Sequence, residues 1–451
     1  MSSTAGPVRF GTDGVRGRAN VDLTAEMALA IGRACVRVFA SPKVMLGRDT
    51  RVSGPLFESA IAAGVCSEGA DAVALGVVPT PTVAAGSARD GVPGVVISAS
   101  HNPFADNGIK IFAPGGRKLT DAEQHGVEDA IAAVLDGDRH EGPSGAGIGS
   151  IVTDPTVVDS YADLVIGAME GRTLAGLKVV VDCANGAAST IGPEILRRLG
   201  ADITVIADRP DGRNINERCG STHPQELQTA VVARGADLGV AFDGDADRVL
   251  AVDGRGDLVD GDQIIALCAT DLQERGQLAQ DTVVVTVMTN LGFRNEMAKR
   301  GVTVVDTAVG DRYVLEALAA GGYTLGGEQS GHIIFPAHGT TGDGILSAVV
   351  LADLVVRAGR PLAELTAGSM VRLPQVLMNV SVSRPMPDVA HRLAGEIASV
   401  ETELAGSGRV LLRPSGTEAV VRVMAEAPTE AEADRAARRL AAAVERLTAT
   451  S

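Results

Sequence analysis

The most concentrated chemistry in this sequence is an acidic loop, Asp243-Gly-Asp245-Ala-Asp247-Arg248, which directly follows the apolar run LGVAF. Side chains two residues apart in an extended loop point to the same side, so the three carboxylates are expected to face one point. Two such charges repel by about 4 kcal/mol at 4 Å and an effective dielectric of 20. Hard oxygen ligands favour Mg²⁺, so the loop is predicted to be a magnesium site.

The acidic loop has two other interpretations. A solvated acidic turn is one, although the loop lies at the end of a strand expected to be buried. An EF-hand is the other, but Arg248 stands at the sixth position, where Gly is required, and Gly254 stands at the twelfth, where Glu is required. The EF-hand is therefore the poorer fit.

A serine-rich turn forms the second chemical feature, in the segment VVISASHNP from Val95 to Pro103. Ser98 and Ser100 could simply satisfy a turn. Ser100 is followed by His101, however, and Lys110 lies a short distance further on. A serine-hydrolase triad would call for a G-x-S-x-G elbow, which this segment lacks. Metal-assisted phosphoryl transfer to or from Ser100 is the more coherent prediction.

Two further segments are typical of anion and sugar binding. The loop Arg413-Pro-Ser415-Gly416-Thr417-Glu and the following Arg422 offer hydroxyls, backbone N–H groups and two guanidiniums, which suit a phosphate. A plain hairpin turn is the alternative for this loop. The segment Gly326–His332, GGEQSGH, offers donors and acceptors suited to sugar hydroxyls.

The elements that must position these residues repeat along the chain as strand, helix and strand. Runs beginning at KVMLGRD, KVVVDCA and DTVVVTVMTN each pass through a helical stretch to a second β-branched run. Parallel strands need such a crossover. The repeats predict three related mixed α/β domains with βαβ units, although chance resemblance among such units stays open.

The last quarter of the chain has a different pattern, with alternating strands and one Ala/Leu-rich amphipathic helix that opens at Pro428 and Thr429. It predicts a smaller C-terminal α+β domain. Clusters of Gly, Pro and charge place the domain boundaries so that the expected domains span residues 1–155, 156–258, 259–372 and 373–451.

Composition narrows the class of protein. With 451 residues and about 150 per domain, roughly three domains are expected. The net charge of −16 and the absence of Trp argue against a nucleic-acid or anionic membrane partner. The five cysteines never form C-x-x-C, which favours a reducing compartment. We expect a cytoplasmic protein without a signal peptide or membrane span.

Taken together, the motifs FGTDGVRG, ISASHNP, DGDADR, GGEQSGH and RPSGTE resemble those of the α-D-phosphohexomutase superfamily, in this order and over essentially the whole chain. The resemblance implies three α/β domains of similar topology and a smaller fourth domain, arranged around a central cleft. The opening motif, the segment NINERCGSTHP and Gln329 most resemble the branch that acts on glucosamine phosphates.

By motif match, the resemblance also implies residue roles. Ser100 would be the phosphorylated serine, and its phosphate oxygen would bind Mg²⁺ together with Asp243, Asp245 and Asp247. The acid and base candidates would be Arg16 and Lys110, with His101 nearby, and Arg248 would contact the transferring phosphate. The remaining substrate contacts would be Glu328, Ser330 and His332 to the sugar, and Arg413, Ser415, Gly416, Thr417 and Arg422 to the non-reacting phosphate.

The implied activity is the interconversion of glucosamine 6-phosphate and glucosamine 1-phosphate through a phosphoserine and a 1,6-bisphosphate, feeding UDP-N-acetylglucosamine and peptidoglycan synthesis. Mg²⁺ would be the cofactor and glucosamine or glucose 1,6-bisphosphate the activator. The partner would be a small sugar phosphate, and a homo-oligomer is compatible with the resemblance.

Three alternative functions stay open at the level of sequence. A phosphomannomutase or phosphoglucomutase of the same superfamily would share every motif. A haloacid-dehalogenase-like phosphohydrolase would use Asp243 as nucleophile, but Asp247 stands where that motif prefers Thr or Val. A non-catalytic sugar-phosphate sensor would not need Ser100, Lys110 and all three aspartates together.

Overall fold

The computed structural model describes residues 10–11, 13–138, 142–414 and 419–449, which fall into two compact units. The first unit comprises Met1–Met288 and Val302–Ser369, and the second comprises Thr289–Gly301 and Met370–Ser451. Within the described ranges, no helix is both long and apolar enough to cross a membrane. All five cysteines are free thiols, as expected.

The first sheet of the first unit has seven strands. Its strands and the helices up to residue 167 are β1 Val15–Arg18, α1 Ala25–Phe39, β2 Lys43–Arg48, α2 Gly54–Ser67, β3 Asp71–Val77, α3 Thr80–Asp90, β4 Gly94–Ile97, β5 Asp106–Ala113, β6 Arg117–Lys118, α4 Asp121–Leu135, β7 Ile151–Val152 and α5 Thr156–Gly167. The strand order is β1-β5-β4-β2-β3-β7, with β6 on β5. The serine-rich turn therefore begins where the fully buried strand β4 ends.

The second sheet carries the acidic loop. Its elements are β8 Lys178–Asp182, α6 Ala188–Arg198, β9 Asp202–Ile206, α7 Gln225–Arg234, β10 Leu238–Phe242, β11 Val249–Asp253 and β12 Leu258–Val259, with the strands in the order β12-β11-β10-β8-β9. Every residue of β10 is buried, as a continuous apolar run in the middle of a covered sheet should be. The acidic loop begins at the carboxyl end of this strand, the usual place for ligand sites in such sheets.

A third sheet completes the first unit. The elements from residue 261 to 367 are α8 Gly261–Glu274, β13 Thr282–Thr286, α9 Leu291–Lys299, β14 Thr303–Thr307, α10 Asp311–Gly321, β15 Gly326–Gly327, β16 Ile333–Ile334, α11 Gly344–Ala358 and α12 Leu362–Ala367. The strand order is β14-β13-β15-β16. The predicted sugar loop connects β15 to β16, which pair antiparallel.

The three predicted strand–helix–strand repeats are confirmed. Strands β2 and β3, β8 and β9, and β13 and β14 each pair in parallel, with one helix between them in the chain. Each sheet also contains an antiparallel pair, so the domains are mixed rather than purely parallel. The predicted fold class, mixed α/β with a smaller C-terminal α+β part, is confirmed.

The second unit is built on an antiparallel sheet of three strands. Its elements after residue 370 are β17 Gln375–Ser381, α13 Val389–Arg392, α14 Ala394–Glu403, β18 Arg409–Pro414, β19 Val420–Glu426 and α15 Glu430–Ala449, with the strands in the order β17-β19-β18. Helix α15 starts where predicted, because Thr429 and Glu432 form a reciprocal cap: Oγ1 of Thr429 accepts from Glu432 N at 3.3 Å, and Thr429 N donates to Glu432 Oε2 at 3.1 Å.

Residues 289–301, including α9, belong to this second unit. The buried carboxylate of Glu426, at the end of β19, accepts the N–H of Leu291 at 3.0 Å and the Nε–H of Arg409 at 2.5 Å. It also accepts from Gln375 Nε2 at 3.0 Å. Glu426 thus ties together segments that are far apart in the chain.

Two glycines allow helices α1 and α2 to cross in close contact. A Cβ on Gly64 would lie 2.2 Å from the carbonyl oxygen of Leu29, and a Cβ on Gly32 would lie 2.2 Å from that of Ile61. Both contacts are to backbone, which cannot swing aside. The packing of this helix pair against the first sheet therefore depends on glycine at both positions.

We predict that Gly64→Ala destabilises the protein by about 2 kcal/mol, because overpacking outweighs the better helix propensity of alanine. The matched control is Gly126→Ala in α4, where an added Cβ would meet only a Val38 methyl group at 3.9 Å. Thermal unfolding followed by circular dichroism should show a lower midpoint for Gly64→Ala and an unchanged or higher one for Gly126→Ala. Equal midpoints for the two variants would contradict the packing argument.

Candidate active site

The turn after β4 and the loop after β10 meet at Ser100. The Ser100 Oγ lies 2.5 Å from Oδ2 of Asp243, and both residues are fully buried. The backbone of Ser100 has a φ of 52°, in the left-handed region that non-glycine residues rarely occupy. The hydroxyl predicted to carry chemistry is therefore held against the predicted metal site by an unusual local conformation.

The three aspartates of the acidic loop form the cluster that the sequence predicted. One carboxylate oxygen from each of Asp243, Asp245 and Asp247 lies within 4.8 Å of the others, and all three residues are buried. Burial, together with the charges of Asp247 and Asp245, raises the pKa of Asp243 well above its ordinary value. Burial would also raise the pKa of Asp247, but Lys110 and His332 lower it well below the usual range. The cluster thus needs positive charge.

The hydrogen bonding of these carboxylates fits a cation. Oδ2 of Asp245 accepts from Thr80 Oγ1 at 2.6 Å and from Lys110 Nζ at 2.8 Å, and Oδ2 of Asp247 accepts from Lys110 Nζ at 2.9 Å. The buried Oδ1 atoms of Asp245 and Asp247 accept no hydrogen bond within the described residues. Buried acceptors of this kind require a partner, and hard oxygen ligands suit Mg²⁺.

Lys110 is the central cation of the site. Its Nζ lies within 3.0 Å of carboxylate oxygens of Asp13, Asp245 and Asp247. Burial opposes the charge of this ammonium group, but the three carboxylates outweigh burial and hold the pKa of Lys110 well above its ordinary value. Lys110 is therefore a charged hydrogen-bond donor here.

Asp13 connects Lys110 to Arg16, the other acid/base candidate. The Arg16 Nη2 lies 2.6 Å from Asp13 Oδ2, and Lys118 Nζ lies 2.7 Å from Asp13 Oδ1. Burial would raise the pKa of Asp13, but Lys110 and Lys118 lower it far below its ordinary value. Arg16 sits on β1, opposite Gly108 of β5, so this edge of the sheet presents both candidates.

His101 is neutral in this arrangement. Its Nδ1 lies 3.2 Å from Ser100 Oγ and 3.1 Å from Arg248 Nη1. A guanidinium only donates, so Nδ1 must offer its lone pair and the proton must be on Nε2. Burial and the charges of Arg248 and Arg16 lower the pKa of His101 to about 4. In this geometry His101 accepts a hydrogen bond from Arg248 and thereby orients the guanidinium.

The three residues predicted to contact the sugar differ in exposure. Ser330 is exposed and Glu328 is partly exposed, with Glu328 Oε1 accepting the N–H of Gly310 at 3.1 Å. His332 is only 2% exposed, and its Nδ1 lies 3.8 Å from Oδ1 of Asp247. The structure thus brings His332 to the acidic cluster, whereas Glu328 and Ser330 are accessible from solvent.

In the second unit, Arg413 and Arg422 face each other directly across strands β18 and β19. Both side chains are partly buried. Two guanidiniums placed directly opposite each other would suit an anion that contacts both of them. The predicted phosphate contacts Ser415, Gly416 and Thr417 lie outside the described residues.

Several residues of the site received no role from the sequence, although Asp13 and Asn216 lie within motifs quoted above. They are Asp13 and Lys118 in the charge network, Thr80 at the start of α3, and Asp49, Arg51 and Asn216, which contact the serine-rich turn. Asp49 and Arg51 follow β2 in the segment GRDTR, and paired charges after a buried strand could have marked them.

Comparison with known protein families covers nearly the whole chain. Residues 7–136, 159–256 and 260–373 match the alpha/beta/alpha domains I, II and III of phosphoglucomutase/phosphomannomutase, and residues 377–443 match its C-terminal domain. A phosphoglucosamine mutase from Frankia alni is 53% identical over 449 residues, covering 96% of this chain and 97% of that protein. One from Rhodococcus opacus is 52% identical and covers 93% and 95%.

Solved structures show the same similarity. A phosphoglucomutase/phosphomannomutase family protein from Burkholderia thailandensis has a TM-score of 0.79 and 25% identity, covering 97% of each chain. The Aspergillus fumigatus N-acetylphosphoglucosamine mutase, solved with GlcNAc-6P and magnesium, has a TM-score of 0.73 and 20% identity, covering 99% of this chain and 97% of that one. This second similarity concerns the fold alone.

We predict that Asp245→Asn weakens Mg²⁺ binding by more than about tenfold, since it removes one negative charge while keeping the side-chain shape. Isothermal titration of the purified protein with MgCl₂ measures this. Asp208→Asn is the control, because Asp208 is an exposed carboxylate of the same unit. Unchanged Mg²⁺ affinity in Asp245→Asn would show that the acidic cluster is not the metal site.

Proposed function

This chain belongs to the phosphoglucosamine mutases of the phosphoglucomutase/phosphomannomutase family, and we propose that it interconverts glucosamine 6-phosphate and glucosamine 1-phosphate by way of a phosphorylated Ser100. Mg²⁺ is the proposed cofactor and a hexose 1,6-bisphosphate the proposed activator. The five free thiols support a reducing, cytoplasmic location.

One observation carries the proposal: the 2.5 Å contact between Ser100 Oγ and Asp243 Oδ2 at the edge of the aspartate cluster. A phosphate on Ser100 would bring further negative charge to three carboxylates. Mg²⁺ bound by the three aspartates and a phosphate oxygen would neutralise this charge and polarise the phosphoryl group. A serine that only completed a turn would gain nothing from such a neighbour.

The remaining residues of the site support group transfer. We assign to Lys110 and Arg16, which pair with Asp245 and Asp13, the stabilisation of a developing oxyanion, and to Arg248, which contacts His101, a contact with the moving phosphoryl group. Preorganised charges of this kind stabilise a transition state without reorganising during the reaction.

The proposed reaction balances in two transfers. In the first, the bond between phosphorus and Ser100 Oγ breaks and a bond between phosphorus and the sugar O1 forms. The O1 proton passes through the acid/base groups of the site to Ser100 Oγ, so the products are the 1,6-bisphosphate and a serine hydroxyl. In the second, the bond between the other phosphorus and the sugar O6 breaks, that phosphorus bonds to Ser100 Oγ, and the serine hydroxyl proton passes back to O6. The product is glucosamine 1-phosphate, and the phosphoserine is restored.

The substrate contacts are assigned to the other loops. We propose that Glu328, Ser330 and His332 bind the sugar, and that Arg413, Ser415, Gly416, Thr417 and Arg422 hold the phosphate that is not transferred. Domains spanning 1–155, 156–258, 259–372 and 373–451 would carry the phosphoserine, metal, sugar and phosphate contacts respectively. The four matched family regions support this division.

The proposal predicts that freshly purified protein carries phosphate on Ser100 and prefers glucosamine 6-phosphate in kcat/KM over glucose 6-phosphate and mannose 6-phosphate. Peptide mass mapping locates the phosphate, and a side-by-side assay ranks the sugars. Ser100→Ala should lose the phosphate and the turnover. Turnover retained in Ser100→Ala would overturn the mechanism, whereas a preference for glucose or mannose phosphate would overturn only the assigned specificity.

A second prediction concerns the pair Arg413 and Arg422. The bisphosphate must present first one end and then the other to Ser100, so its non-reacting phosphate has to be held during the exchange. Arg422→Ala should therefore release glucosamine 1,6-bisphosphate, leave unphosphorylated Ser100 behind and require added sugar bisphosphate for sustained turnover. Chromatography of the released sugars and intact mass of the enzyme measure this.

The control for this prediction is Arg446→Ala, a change on α15 of the same unit and outside the proposed phosphate contacts. It should retain the bisphosphate as the unaltered enzyme does. If Arg422→Ala only raises KM, with no more bisphosphate released, the arginine pair is an ordinary binding contact.

A further inference from the structure

A buried ion pair beneath the serine-rich turn has no part in the reaction described so far. Asp49 and Arg51 follow β2, both have fully buried side chains, and Arg51 Nε donates to Asp49 Oδ2 at 2.8 Å. Removing two charges from water is costly unless each is fully hydrogen-bonded. The other hydrogen bonds of the pair therefore indicate what it holds in place.

Every N–H group of the Arg51 guanidinium is used. Nη2 donates to the carbonyl oxygens of Ser100 at 2.9 Å and Asn102 at 2.8 Å. Nη1 donates to the carbonyl oxygens of Pro103 and, at 3.0 Å, Asp106. A guanidinium has five N–H groups, and the fifth goes to Asp49. Arg51 has none left for a ligand, so its contacts are all with the turn and with Asp49.

Asp49 holds the other side of the same peptide segment. Its Oδ2 accepts from Ser98 Oγ at 2.7 Å, and Ser98 Oγ in turn accepts the backbone N–H of Ser100 at 2.9 Å. Both the N–H and the C=O of Ser100 are therefore connected to one ion pair. Asn216 Nδ2 adds a second donor to the Ser100 carbonyl at 2.9 Å.

The backbone of Ser100 explains why such support is needed. A φ of 52° is the left-handed conformation, which glycine adopts freely and serine does not. Glycine would have no hydroxyl to phosphorylate, so this position combines a disfavoured backbone with an obligatory side chain. The conformation persists because the surrounding contacts specify it, and it aims Oγ at Asp243.

We propose that Asp49 and Arg51 are a positioning pair that fixes Ser100 in the left-handed conformation required for phosphoryl transfer. This inference rests on the proposed function. The pair acts on the donor and touches none of the residues assigned to the sugar, so its loss should lower kcat and leave KM nearly unchanged. A purely structural ion pair would lower only the fraction of folded protein.

Two variants of different severity test the positioning pair. Arg51→Lys keeps the charge but has three donors on a single nitrogen, which cannot reach four carbonyls and a carboxylate. We expect kcat to fall about 100-fold, as displacement of a reacting group by an ångström does, with KM changed less than about threefold. Ser98→Ala removes only the connection to the Ser100 N–H, and we expect a fall in kcat of about tenfold.

The matched control is Arg48→Lys. Arg48 is the last residue of β2, and its Nε pairs with Glu58 at 2.8 Å rather than with the turn. All rates are taken per folded molecule. Amide hydrogen exchange of residues 98–106 is measured in parallel, and it should be faster in Arg51→Lys and Ser98→Ala but not in Arg48→Lys.

The outcomes separate this inference from the proposed function. Wild-type kcat per folded molecule in both variants, or a change confined to KM or to the melting temperature, would overturn the positioning role. A wild-type protein that converts no hexose phosphate would overturn the proposed function. In that case the hydrogen exchange of residues 98–106 still decides whether the pair holds the turn, and unchanged exchange would count against it.

Discussion

The concentration of negative charge at one buried point is the constraint on which this structure depends. Three carboxylates from a six-residue loop lie within 4.8 Å of one another, next to a serine hydroxyl. In low-dielectric surroundings such charges repel strongly unless cations lie among them. Lys110 meets two of the carboxylates directly, and it is itself held by Asp13. The charge network around the site offsets the repulsion among these buried carboxylates.

The sheets solve a second problem, which is to bring distant segments together accurately. The contact between Ser100 and Asp243 joins positions 143 residues apart. Asp243 follows directly on a strand whose residues are all buried, and Ser100 lies three residues after another such strand, so neither can shift far without disturbing a packed core. Rigid strands place the loops, and hydrogen bonds to the loop backbone set the final direction of each side chain. Local strain at Ser100 is tolerated because the scaffold on both sides is rigid.

The sequence was most informative where side chains themselves carry the chemistry. The aspartates, Ser100 and the parallel repeats followed from residue type and spacing. Arg51 and Asn216 were missed because their partners are backbone carbonyl oxygens, which have no sequence signature. The burial of His332 against the acidic cluster could not be predicted either, because a histidine in a glycine-rich loop is expected to be exposed when only the sequence is known. Reacting groups can be identified from sequence patterns, whereas the groups that orient them are harder to identify in this way.

The attachment of Leu291 to Glu426 has a consequence for how the protein is made. The two residues are 135 positions apart, yet both belong to the second unit. At about 5 to 20 residues per second, a ribosome needs roughly 7 to 27 seconds to reach Glu426 after it has added Leu291. During that interval residues 289–301 lack their partners in the C-terminal sheet. The strands on either side of them in the chain, β13 and β14, can already pair with each other. The C-terminal unit can therefore be completed only after Glu426 has been added, and a fragment that starts near residue 373 would lack α9, one of the helices of this unit.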